Sequence, residues 1–303
     1  MQYVLETNAL RKRYGRAEVL SGLSMHVPKG SIYGFVGRNG AGKTTLLRLI
    51  SGLQNPSAGE YVLYGSSNQS GEIRRSRRRM GALVETPAVY RYMSAEDNLK
   101  VQYQMLGLPS YEGIPELLAL VGLENAGKKV VKNYSLGMRQ RMGIAVALAG
   151  NPDFLVLDEP VNGLDPEGII EIRELILKLN QERQTTVLIT SHILDELARI
   201  ATHYGFLDQG HMVKEISAKE LEQTCRKCLR LEVSDPEAAI PVMDQRGWQY
   251  TVLSEHQMEV YEEIHVTELV MALAEQDCEV ISLQEREESL ESYFINLIGG
   301  EGK

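Results

Sequence analysis

Short, nearly all-apolar runs alternate with stretches of helical spacing through the first two thirds of the chain. Ser31 to Val36 (SIYGFV) reads as a buried strand, and Thr45 to Gly52 (TLLRLISG) spaces Leu46, Leu47, Leu49 and Ile50 as a helix ended by a glycine. FLVLDE at 154–159 and TTVLIT at 185–190 are the kind of run found in parallel strands covered on both faces. Between them, Asp165 and Pro166 precede Ile169, Ile172, Leu175, Ile176 and Leu179, the pattern of a capped amphipathic helix. The alternation predicts an α/β layer structure.

Residues 94–133 break the rhythm. Ser94 and Asp97 open a helix at capping-box spacing, Gly107 closes it, and IPELLALVG supplies a second helical piece. A helical insertion is expected there, within a first domain spanning 1–224. From 225 the order becomes strand (CLRLEV), helix (PEAAIPVMDQRG), strand (WQYTVLS), strand (QMEVYEE), helix (TELVMALAEQ) and strand (CEVISLQ). That βαββαβ order predicts a small ferredoxin-like accessory domain over 225–303, closed by a last helix, SLESYFINLIGG.

A length of 303 residues suits two domains, and 43% hydrophobic with 24% charged residues is an ordinary globular balance. The net charge of −9 argues against a nucleic-acid partner held on a broad basic surface. Arg74, Arg75, Arg77, Arg78 and Arg79 form a local basic run, read as a solvated face that also suits anionic lipid headgroups. Neither a signal-peptide core nor an apolar stretch of bilayer-crossing length is present, so a cytoplasmic chain is expected. Cys225 and Cys228 form one C-x-x-C without a second pair or a nearby histidine, a spacing read as coincidence.

The candidate chemistry begins at GRNGAGKTT, positions 37–45, where Gly37, Gly42, Lys43 and Thr44 satisfy the spacing of a phosphate-binding loop. It lies between a strand and a helix, so its backbone N–H groups and the helix dipole meet phosphate while Lys43 adds a point charge. Thr44 offers a hydroxyl to Mg²⁺. In LVLDEP, Asp158 at a strand tip suits Mg²⁺ and Glu159 suits the orientation or deprotonation of an attacking water. YSLGMRQR (134–141) puts Ser135 and Gly137 at a helix start, VNGLD (161–165) follows the acidic pair, and TSH (190–192) ends the next strand with His192.

In this order the motifs resemble the ATP-binding cassette family of transporter ATPases, over at least residues 3–215. The resemblance implies a RecA-like core with an N-terminal antiparallel β subdomain. ATP would lie on Gly37, Asn39, Gly40, Ala41, Gly42, Lys43, Thr44 and Thr45, with Tyr14 stacked on the adenine. Two copies, identical or not, would face head to tail, so that Ser135 and Gly137 of one meet ATP on the other, beside the turn bearing Asp165. It also implies catalysis by Glu159 with His192 as switch, Mg²⁺ on Thr44 and Asp158, and a separate membrane permease that keeps the chain on the inner face of the bacterial membrane.

Two departures from the family pattern are informative. Glu85 stands where a glutamine usually touches Mg²⁺ and water, making it a further candidate for catalysis or metal binding, and the signature keeps only its serine and second glycine. With the C-terminal ESLESYFINLIG they resemble the branch serving drug, bacitracin and lantibiotic exporters. DNA-repair cassettes would carry coiled coils or zinc modules before the signature, and translation-factor cassettes two ATPase units. A P-loop metabolic kinase leaves YSLGMRQR and His192 unexplained.

Overall fold

Alternating inward and outward residues give the long strands β1 (Tyr3–Tyr14) and β2 (Ala17–Pro28) one apolar face each, whereas β3 (Ile32–Gly37) is buried throughout. The computed structural model describes residues 2–224, 228–261, 264–276, 278–286 and 290–299. After β3 come α1 (Lys43–Ile50), β4 (Ala58–Leu63), β5 (Ser66–Ser67), α2 (Ile73–Arg77) and β6 (Met80–Leu83). The helices α3 (Ala95–Leu106) and α4 (Ile114–Leu120) form the expected insertion, and Ser94 caps α3 by accepting from Asp97 N. Then follow α5 (Leu136–Leu148), β7 (Phe154–Asp158), α6 (Pro166–Arg183), β8 (Thr186–Ser191), α7 (Leu194–Ala198), β9 (His203–Asp208), β10 (His211–Ser217) and α8 (Ala218–Thr224).

These strands make two sheets. One runs β2-β1-β4-β5 with antiparallel neighbours, the other β10-β9-β3-β8-β7-β6, parallel except where β10 pairs with β9. Leu5, Leu23, Met25, Phe35, Leu46, Leu49, Tyr61 and Leu188 belong to one core that joins both sheets to α1. Register is what positions the site: Phe35 and Asp158 both pair with Thr190, so β3, β8 and β7 end at one level and release their following residues along one edge. Ligands of open α/β sheets bind at that carboxyl edge.

The basic run lies at the opposite end. Arg79 directly precedes β6 and ion-pairs with Asp153, which directly precedes β7, and its guanidinium stands 3.8 Å above the Tyr64 ring. Arg77 donates to the Tyr61 hydroxyl, while Arg74, Arg75 and Arg78 are exposed.

The chain divides into compact units between Ala218 and Lys219, slightly ahead of the boundary expected at 224. Cys225, half of the C-x-x-C spacing, lies outside the described residues, as do Glu262 and Glu263 of the expected strand QMEVYEE. The second unit contains β11 (Cys228–Val233), α9 (Pro236–Arg246), β12 (Tyr250–Val252), β13 (Gln257–Val260), α10 (Val266–Ala274), β14 (Val280–Arg286) and α11 (Leu290–Gly299). Its sheet runs β12-β13-β11-β14 with every neighbouring pair antiparallel. Leu229, Leu231, Met258, Val260, Leu269 and Leu273 build a separate core.

Candidate functional site

The turn from β3 into α1 sets the first half of the site. Gly40 and Gly42 take φ +81° and +113°, left-handed backbone that side chains disfavour, and a Cβ on Gly42 would stand 2.9 Å from Val19 O. The loop therefore lies tight on β2. Lys43 is buried, and its Nζ donates to Gly37 O at 2.6 Å and Arg38 O at 3.4 Å. The same ammonium is 3.7 Å from Glu159 Oε1.

Thr190, wholly buried on β8, fixes the acidic pair. Its hydroxyl donates to Asp158 Oδ1 at 2.7 Å and accepts from Glu159 N at 2.9 Å. Glu159 sits at φ +48°, which turns its side chain off the strand toward the loop. Its Oε2 accepts from His192 Nδ1 at 2.6 Å and from His192 N at 3.2 Å. One carboxylate thus links the phosphate-loop lysine to the strand-end histidine. A cleft of about 560 Å³ opens over this arrangement, and its walls include Asn39, Gly40, Lys43, Thr44, Glu159 and His192.

Val19, Arg38 and Asn162 complete the cleft without having been picked out from the sequence. Asp158 is buried next in sequence to the cleft-lining Glu159, and its carboxylate and the Thr44 hydroxyl of the cleft wall are the oxygen donors expected for a metal. Such a sparse oxygen set suits Mg²⁺, which keeps several waters and takes its other ligands from substrate phosphates.

Of the expected members, Gly37, Ala41 and Asp158 adjoin wall residues in sequence without lining the cleft, and Glu85 and Tyr14 stand apart from it. Glu85, at φ +64°, pairs its carboxylate with Arg48 on α1, because the guanidinium is the opposite charge within its reach. Tyr14 ends β1 with its hydroxyl bonded to Gln54 and with Lys12 Nζ 5.2 Å from its ring centre, so an ammonium already faces the aromatic ring.

Ser135 and Gly137 line a different cleft, of about 450 Å³, together with Gly163, Leu164 and Asp165. Ser135 caps α5 by accepting from Met138 N at 3.2 Å, and Asp165 caps α6 by accepting from Gly168 N at 3.1 Å. The two caps adjoin because a Cβ on Gly163 would stand only 3.2 Å from Leu136 Cδ2. No residue lines both clefts. Each half of the expected chemistry therefore has its own face on the chain.

A family model described as ABC transporter matches residues 20–162. The chain is 39% identical to the bacitracin transport ATP-binding protein BcrA of Enterococcus faecalis over 305 aligned positions, covering 100% of this chain and 98% of the relative. It is 42% identical to the lantibiotic transport ATP-binding protein SrtF of Streptococcus pyogenes, covering 70% of this chain and 90% of that one. Among solved structures, a dimeric ATP-binding cassette in a post-hydrolysis state with ADP and phosphate superposes at a TM-score of 0.64 and 23% identity, over 71% of this chain and 98% of the cassette. A phosphate loop facing a strand-end carboxylate and histidine, and full-length similarity to transport ATPases, lead to one conclusion: the chain belongs to the ATP-binding cassette family and is the ATP-binding, ATP-hydrolysing subunit of a transporter.

Proposed function

We propose that the chain powers export of an antibiotic, a peptide or another hydrophobic compound through a separate membrane permease, acting as one half of a head-to-tail pair, homodimeric or heterodimeric. The relatives named for bacitracin and lantibiotic transport support the cargo class. Export needs a permease because, among the described residues, no helix is long and apolar enough to cross a membrane. Its docking face is assigned to the exposed side chains of Tyr92, at 77%, and Met105, at 74%, with Tyr90, Met93 and Leu106 around α3. On this reading the chain is cytoplasmic and held on the inner face of the bacterial membrane, with the second unit as a ferredoxin-like accessory domain.

In the proposed site, the glycines of the loop, Lys43 and Thr45 hold the phosphates, and Tyr14 takes the base once its ring is free of Lys12. Thr44 and Asp158 would hold Mg²⁺, which would neutralise charge on the phosphates. Glu159 orients the water and takes its proton, His192 holds that carboxylate in place, and Asp165 positions the partner-facing turn. Glu85 would join the metal-holding residues only without its Arg48 pair.

The observation that carries the paired arrangement is that Ser135 and Lys43 line separate clefts of one chain. Lys43→Ala and Ser135→Arg then damage different halves of each composite site. In a Glu159→Gln background, which removes turnover, a mixed dimer retains one whole site and traps about one ATP, while either homodimer traps almost none, because arginine at the start of α5 blocks the approach of the anion. Counting occluded nucleotide after gel filtration distinguishes the cases. Full trapping by the Ser135→Arg homodimer would mean that each chain completes its own site.

A further inference from the structure

The β9–β10 hairpin takes no part in the motifs, yet its tip touches the phosphate loop. Gly210 N donates to Ala41 O at 3.1 Å, and Gly210 O accepts from Ser21 N at 2.9 Å. One residue thereby ties the loop to β2. We propose that Gly210 is a positioning residue of the nucleotide site, holding the phosphate-binding loop through its backbone and fixing where the β2 wall of the cleft stands.

Space at this point is set by backbone. Gly210 takes φ +81°, and a Cβ there would lie 2.5 Å from Val19 O and 3.2 Å from Leu20 Cα, atoms that cannot rotate away. Val19 lines the cleft, and the loop's own Gly42 approaches the same Val19 carbonyl. At the other end of the loop, a Cβ on Gly37 would lie 2.7 Å from Leu207 O on β9. The loop is thus packed between β2 and the hairpin, and glycine is the residue at all three closest approaches.

The stem of the hairpin grips the strand that delivers the loop. Glu215 on β10 accepts from the Tyr33 hydroxyl on β3 at 2.6 Å and from His26 N on β2 at 2.8 Å. Burial, reinforced by the Glu215 charge, pushes the Tyr33 phenol well above its ordinary value, so it remains a donor. Stem and tip together hold β3 and its loop against β2. Backbone N–H groups that converge on phosphate weaken steeply when misaligned, so a displaced loop binds less well even in a folded chain.

The inference rests on the phosphate-loop reading, and the test separates the two. Gly210→Ala is compared with Gly65→Ala, a glycine at φ +77° with nothing within 4 Å of its Cβ position, so that backbone strain is matched and only the contacts differ. Titration of the full chain with a fluorescent ATP analogue and Mg²⁺ should show Gly210→Ala about tenfold weaker or more, the scale of a lost hydrogen bond, and Gly65→Ala within about twofold of the parent. Equal affinity of Gly210→Ala and parent would overturn the inference alone; a parent that binds no nucleotide would overturn the phosphate-loop reading with it. Should Gly210→Ala fail to fold, amide hydrogen exchange at Gly210 in the parent decides. Exchange there slows on adding ATP if the hairpin is part of the site, and an unchanged rate refutes it.

Discussion

Lys43 points its ammonium at two carbonyls of its own loop and at Glu159, and on the proposed reading that is where phosphate arrives. Lys43→Ala removes the cation that offsets the triphosphate and should abolish ATP binding. Glu159→Gln keeps the loop intact but accepts no proton, so it should bind ATP and hydrolyse it about 100- to 10,000-fold more slowly. Equilibrium binding and steady-state phosphate release, measured on both variants, separate the two roles. Parental turnover in Glu159→Gln would move the base to another carboxylate, Glu85 first, and its pairing with Arg48 would then have to break. The charged members of the site were legible because each sits in a contiguous strand-end motif. Thr190 was not: TTVLIT reads only as a strand, and the hydroxyl's part depends on the cross-strand pairing with Asp158.

Elements lock through shape as much as through motif. Gly143, buried in the middle of α5, leaves room for the segment that follows β6: a Cβ there would stand 2.8 Å from Pro87 Cβ and 3.0 Å from Leu83 Cδ1. Alanine would gain about 1 kcal/mol of helix propensity but would overpack by about 1–3 kcal/mol. The clash dominates, since a proline ring cannot rotate clear. Gly143→Ala should therefore lower the thermal midpoint by a few degrees, checked by calorimetry, and a raised midpoint would show that the segment gives way freely. The same helix marks a limit of sequence patterning. The helix start expected at Ser135 is where α5 begins, with Ser135 as its cap, but the burial of the polar Gln140 within it has no local signal. The β9–β10 hairpin went unread, since His211–Ser217 is half-buried along most of its length and shows no clean alternation.

Among the described residues each unit has an apolar core of its own, and every nucleotide motif precedes Ala218. Ending the chain after Ala218 should leave a cooperatively folding protein that still binds ATP, measured by circular dichroism melting and nucleotide titration. Insoluble protein, or a folded one without affinity, would show that the last unit is needed by the first. The α/β alternation and the order of the later elements were legible from periodicity alone. Strand order was not, because β3 comes to lie between β8 and β9, partners more than a hundred residues away in sequence, through contacts that no local pattern encodes.

Glu159 holds its place at φ +48°, where a side chain costs roughly 1–2 kcal/mol and glycine almost nothing. Replacing it with glycine would relieve that strain while adding roughly 0.5–1 kcal/mol of chain entropy to be lost on folding, so the backbone effects partly offset, and the remaining loss is the carboxylate's bonds to His192 and its pairing with Lys43. The bonds from Glu159 N to Thr190 belong to the backbone and would survive. A Glu159→Gly chain that keeps its fold would pass cellular quality control, which detects unfolded chains and not idle ones. On the proposed role of Glu159, selection for turnover guards this position, and a duplicated gene freed from it would drift toward a folded subunit that holds ATP without consuming it.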